Sequence, residues 1–193
     1  MPERICAEIR IGGQISRSLK MKERDETVLN CLISMINGAE VSHDWDEAVA
    51  QIPVNEQDEG DAELLQYLDE SGCLRFRCTR TENGEFEALE EFLVAHDIPY
   101  DRWHERYADL DSESVSFRPG MNAPTLLFVD ARGDEIIDGE TVREAIEKLD
   151  SFIKNYGTAD RAQDWEALTD AQRLLHDACP EIPEKLEKFE IVP

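Results

Sequence analysis

From Arg4 to Ile11 the apolar residues Ile5, Ala7, Ile9 and Ile11 fall at every second position. A period of two is that of a strand with one buried face, so RICAEIRIGGQIS (4–16) is predicted as β-structure. The period then changes. Val28, Leu29, Leu32, Ile33 and Ile36 make one stripe at helical spacing, with Asp25 as the predicted N-cap and Gly38 as the stop. Residues 44–70 predict one or two short helices anchored by Trp45, Val49 and Ile52 and then by Leu64, Leu65 and Leu68, separated by a break from Pro53 to Gly60.

CLRFRCTR (73–80) has strand composition. Asn83 is placed to cap a helix, GEFEALEEFLVAHD, that turns Phe86, Leu89 and Leu93 inward. IPYDRW (98–103), SVSFR (114–118) and TLLFVD (125–130) predict further strands, the last turning at Arg132-Gly133 into EII (135–137) as a hairpin. Val142, Ala145, Ile146, Leu149, Phe152 and Ile153 form the cleanest helical stripe, followed across Tyr156-Gly157 by a second helix with Trp165, Leu168, Leu174 and Leu175. The tail PEIPEKLEKFEIVP predicts an extended or short helical end.

These elements predict an α+β fold: a mixed, mainly antiparallel sheet of about 4–6 strands with helices packed on it and a C-terminal helical pair. A domain is expected over 1–156, with an acidic insertion at about 40–72, and a helical extension over 157–193 packed on the same domain. A hydrophobic fraction of 41% in 193 residues is enough for a packed core even though 33% of the residues are charged.

Charge changes the picture. The chain has 20 Lys and Arg against 44 Asp and Glu, a net charge of -24. Such a charge repels nucleic acid and anionic membranes and favours basic partners. It is also unevenly placed: Asp25 to Leu74 holds thirteen acids and no Lys or Arg, and Asn55 to Glu70 alone holds seven acids.

The order strand (LRFRCTR), helix (GEFEALEEFLVAHD), strand (IPYDRW), then NAPTLLFVDARGDEIIDG and a closing helix, with Pro124 ahead of a strand leading to a hairpin, resembles the thioredoxin/glutaredoxin order over about residues 73–156. The family's CxxC position is occupied here by Thr81-Glu82-Asn83-Gly84. The resemblance therefore implies, as an alternative, a thioredoxin-like α/β fold over 73–156 without redox activity.

Candidate chemistry is sparse. With Gly60 at the fixed glycine of a helix-loop-helix calcium loop, the twelfth position is Gln66 in place of the bidentate acid, so that motif fails. His43, His96, His104 and His176 are not paired at metal-ligand spacing, and Cys6, Cys31, Cys73, Cys78 and Cys179 contain no CxxC and read as reduced structural thiols. Gly12-Gly13 matches neither phosphate-loop pattern. No catalytic residue, no resident metal and no cofactor are expected.

A carboxylate every three or four residues along a helix spaces charge by roughly 5–6 Å, so two acidic rows approach the linear charge density of a nucleic acid strand. In charge and size the chain resembles, as a class, the DNA-mimicking anti-restriction and anti-CRISPR proteins of phages and mobile elements. The expectation is a non-enzymatic acidic inhibitor that fills the basic groove of a DNA- or RNA-binding effector, without touching nucleic acid or membrane. Its predicted contact surface is Asp44, Asp46, Glu47, Glu56, Asp58, Glu59, Asp61, Glu63, Asp69 and Glu70, with Glu87, Glu90 and Glu91 as a second row.

The alternative is a catalytically silent thioredoxin-like chain, or another small soluble α+β enzyme or adaptor, whose acidity serves solubility or a halophilic cytoplasm. Trp45 and Tyr67 are either anchors within the surface or partly buried core residues, the second reading being favoured by their apolar neighbours. The basic segment RSLKMKER (17–24) offers a homodimer contact to an acidic face of a second copy, or simply caps exposed structure. MPERICAEIR lacks an apolar signal core and no run of about 18 apolar residues occurs, which places the chain in a cytoplasm, bacterial or that of an infected host.

Overall fold

The structure is a computed structural model that describes residues 4–22, 26–45, 47–54, 57–105, 112–130, 134, 136–137, 139–155, 161–179 and 183–193. The side chains at 57, 58, 155, 161–164, 167 and 177 fall outside that description. In chain order the elements are β1 (Arg4–Ile11), β2 (Gln14–Ser16), α1 (Val28–Gly38), α2 (Gln57–Leu64), a 3-10 turn (Leu65–Tyr67), β3 (Leu74–Glu82) and α3 (Glu87–Ala95). They continue as β4 (Tyr100–His104), β5 (Glu113–Phe117), β6 (Thr125–Phe128), α4 (Gly139–Asn155), α5 (Arg161–Ala178) and β7 (Glu190–Val192). The fold is α+β, with a five-stranded sheet in the order β3-β1-β4-β5-β6 whose neighbours are all antiparallel, and a parallel pair of β2 and β7.

The alternation in β1 decides which face becomes core. Ile5, Ala7, Ile9 and Ile11 are all buried, with Ile9 between Phe76 and Arg102 and Ile11 between Leu74 and Tyr100. Helix α1 covers this face with Val28, Leu29, Leu32, Ile33 and Ile36, and α3 adds Leu89, Phe92 and Leu93. Each such side chain contributes about 1.5–3 kcal/mol when fully withdrawn from water.

Helix α1 is capped by Thr27, whose hydroxyl accepts from the Asn30 amide at 3.2 Å, and not by Asp25, which lies outside the described residues. Helix α3 is not capped by Asn83. Asn83 and Gly84 sit at φ +54° and +79° and make the turn after β3, and Glu90 reaches back to accept from the Phe86 amide at 2.8 Å. Residues 47–52 are not helical: Ser42 exchanges backbone hydrogen bonds with Arg77 of β3 at 2.8 and 2.9 Å, and Ala50 donates to Val41 at 2.7 Å, which closes the segment into a loop anchored at Ser42.

The hairpin expected at Arg132-Gly133 is not formed by the described residues: residues 131–133 and 135 lie outside them, Ile136 and Ile137 are exposed and outside any strand, and β6 pairs with β5. The thioredoxin-like alternative over 73–156 is also corrected. β1, from outside that span, lies between β3 and β4, and each neighbouring pair is antiparallel, so β3 joins β4, β5 and β6 only through β1 and the parallel pairing of a thioredoxin-like α/β sheet is absent among the described strands of 73–156.

Residues 1–133 and 183–193 form one compact unit and residues 134–182 a second, where a division into 1–156 and 157–193 was expected. In the second unit α4 and α5 bury Ala145 and Ala171, and Lys148 joins Glu144 of its own helix to Asp170 of α5 at 3.4 and 3.7 Å. Ile146, Ile153 and Trp165 are exposed. Among the described residues no helix is long and apolar enough to cross a membrane.

Candidate interaction surface

Among the described residues, three of the thirteen acids of 25–74, Asp44, Asp61 and Asp69, meet a cation. Three arginines from outside the segment reach into it. Arg77 on β3 meets Asp44 at 2.5 Å and Glu8 at 2.8 Å, and its guanidinium lies 5.0 Å from the Trp45 ring centre. Arg17, just after β2, meets Asp61 at 2.7 Å. Arg10 on β1 clasps Asp69 through Nη2 and donates to it from Nε at 2.8 Å.

The Asp69 contact is the most complete. Oδ1 accepts from the Ser71 amide at 2.8 Å, the Ser71 hydroxyl at 2.6 Å and the Cys73 amide at 3.2 Å, and the turn closes with Gly72 at φ +82°. Burial alone raises the Asp69 pKa, but the hydrogen bonds from Ser71, Arg10 and the Cys73 amide outweigh it and bring the value from 3.8 to about 2. The Asp44 carboxyl is also held below its ordinary range, first by the Trp45 amide and then by Arg77.

The predicted contact residues thus separate into groups. Asp44, Glu47, Glu59, Glu70, Glu87 and Glu91 are exposed, and Asp44 pairs with Arg77. Glu63 is half-buried and accepts from Gln66 at 2.9 Å. Asp61 and Asp69 turn inward to their arginines. Asp46 and Glu56 lie outside the described residues, as does the side chain of Asp58. Tyr67 packs on Phe76 with ring centres 4.9 Å apart and belongs to the core packing, while Trp45 is half-buried with the Arg77 guanidinium 5.0 Å from its ring centre.

Glu90, placed in the second acidic row by sequence, instead joins a buried polar network on the core face of the sheet. It accepts from the Phe86 amide and from the Tyr100 hydroxyl at 3.1 Å, and lies 3.0 Å from Arg102 Nε without hydrogen-bond alignment. Arg102 donates to the Gly84 carbonyl at 2.7 Å, and Glu113 stands 3.9 Å from Arg102 and 3.4 Å from His104. Burial first, then the charge and hydrogen bond of Glu90, push the Tyr100 phenol far up. One signal was available: Tyr100, Arg102 and His104 alternate in register with Ile11, Ile9 and Ala7, which puts them on the core face.

An open groove of about 410 Å³ lies between the last turn of α1 and the start of α3, lined by Met35, Ala39, Phe86 and the carboxylates of Glu40, Glu85 and Glu87. Cys78 borders it. The Cys6 thiol is pushed up by burial and then by the hydrogen bond and charge of Glu105, which disfavours the thiolate. Among the described residues no three His, Cys, Asp or Glu side chains converge as metal ligands. No protein-family model matches the chain, and neither the curated proteins nor the solved structures searched contain a match.

Proposed function

We propose that the chain is a non-enzymatic acidic binding protein of a cytoplasm that occupies the basic nucleic-acid groove of a DNA- or RNA-binding effector, as a counter-defence inhibitor of phage or mobile-element type. The observation that carries this reading is the arginine fastening of the acidic segment. Two of the clamps have an exposed carboxylate close by in sequence: Glu47 near Asp44, and Glu70 next to Asp69. Carboxylates on an ordered frame can present a fixed charge pattern to a cationic groove with little ordering cost on binding. Helix α3 adds Glu87 and Glu91, one turn apart at roughly 6 Å.

The test is capture of DNA-binding nucleases from a bacterial lysate that expresses a guide-loaded CRISPR nuclease and a restriction enzyme. Duplex DNA should release the captured nuclease at physiological salt, and the E47K/E70K/E87K/E91K chain should retain at least tenfold less of it. Capture that duplex DNA leaves untouched, or that the four substitutions leave intact, would refute the proposal.

A further inference from the structure

The C-terminal segment PEKLEKFEIVP (183–193) returns from the helical unit to the sheet unit as an extended strap, and the site that receives it is built for a peptide backbone. Strand β7 adds in parallel to β2 with Gln14, Ile15 and Ser16 opposite Glu190, Ile191 and Val192. The Glu190 amide donates to Gly13 O, the Phe189 amide to Gly72 O and the Arg17 amide to Val192 O, each at 2.9 Å. Arg118 Nε donates to Glu184 O at 2.8 Å.

The glycines explain why the strap fits. A Cβ at Gly12 would lie 2.1 Å from Glu187 O, and one at Gly72 would lie 3.1 Å from the Lys188 side chain. Leu186 and Phe189 are the buried anchors, 8% and 3% exposed, while Glu187, Lys188 and Glu190 face solvent. Main-chain pairing with two apolar anchors is the chemistry of strand addition.

We infer that this groove is an exchangeable peptide site whose second occupant is the C-terminal strap of another copy of the chain. All the contacts just described lie within the sheet unit, while the strap follows on from residues 134–182, which form a unit of their own. The same contacts are available to the strap of a second copy, so exchange keeps every contact named above and is opposed by the high effective concentration of the tethered strap. Because the inference concerns the glycine-lined groove and not the acidic surface, it stands or falls separately from the proposed function.

The test uses full-length chains and the Gln14–Glu190 pair, whose side chains meet at 3.1 Å. The double variant Q14C/E190C should form the 14–190 disulfide within one chain on mild oxidation, which verifies folding and geometry. A mixture of the single variants Q14C and E190C should form the same linkage between two chains, identified by mass spectrometry of the joined peptides to separate it from links through native cysteines. Excess synthetic peptide 183–193 should suppress that linkage several-fold, and a peptide carrying F189A should not. A double variant that links internally beside a mixture that never yields a 14–190 pair would overturn the inference. So would a between-chain linkage that the peptide leaves unchanged.

Discussion

Replacing Asp69 by Asn removes one negative charge and nearly no volume from the turn that Arg10 holds. The carboxyl is 3% exposed and accepts from Ser71, Cys73 and Arg10, while Arg10 remains 37% exposed. A buried pair that loses one partner costs about 3–5 kcal/mol. Arg10 can regain water, and Asn still accepts at one oxygen, so the smaller figure from proton linkage is the better guide. A folded pKa of about 2 against 3.8 corresponds to roughly 2 kcal/mol of stability above pH 4.

The sign follows from the direction of the shift. A depressed carboxyl stabilises the fold while it is ionised, and that contribution is lost as pH falls from about 4 through about 2. Relief of general repulsion in a chain of charge -24 opposes the loss, but by less than about 1 kcal/mol under physiological screening. Urea unfolding followed by tryptophan fluorescence should show D69N about 2 kcal/mol less stable at pH 7, with the difference closing toward pH 2. The neighbouring E70Q, at an exposed position, should stay within about 0.5 kcal/mol throughout. A D69N deficit that is absent at pH 7, or that keeps its size down to pH 2, would refute the reasoning.

Two further outcomes follow from the network beneath the sheet. G84A should lower stability by about 2 kcal/mol or more, since φ is +79° and a Cβ would lie 2.4 Å from the His104 ring. A thermal melt reads this directly. R102M should cost about 3–5 kcal/mol by leaving Glu90 and Glu113 without their cation. Adding E90Q to R102M should recover part of that loss in a denaturant titration, whereas additive losses would mean that the charge pairing is not what holds Glu90.

The parts of the fold legible in the sequence are those set by local periodicity. β1 follows from Ile5, Ala7, Ile9 and Ile11, α1 from its five-residue stripe, and α4 and α5 from theirs. Caps were misplaced because more than one residue could serve: Thr27 lies two positions past Asp25, and the left-handed turn at Asn83-Gly84 takes a residue that would otherwise suit a cap. The loop closed between Val41 and Ala50 has another cause: Trp45, Val49 and Ile52 sit at helical spacing, yet the backbone bridge from Ser42 to Arg77, 35 residues away, and the bond from Ala50 to Val41 fix its shape.

The same distance hid the fate of the acids. The Arg10–Asp69 and Arg77–Asp44 contacts span 59 and 33 residues, beyond any local window, so the run without Lys or Arg carries no local sign of its partners. Period two did place Arg102 and His104 beside Tyr100 on the core face, but nothing local indicated that Glu90 would come from α3 to meet them.

The carboxylates divide into those that fasten the acidic segment and those exposed on it, and a paired comparison of variants tests that division. The clamp variant D44N/D61N/D69N and the display variant E47Q/E70Q/E87Q/E91Q are compared in melting temperature and in capture of the DNA-displaceable nuclease. The display variant should melt within about 2 °C of the parent and lose capture, while the clamp variant should melt well below the parent yet retain capture at temperatures where it remains folded. Equal melting of the two variants, or undiminished capture by the display variant, would show that the carboxylates do not divide in this way.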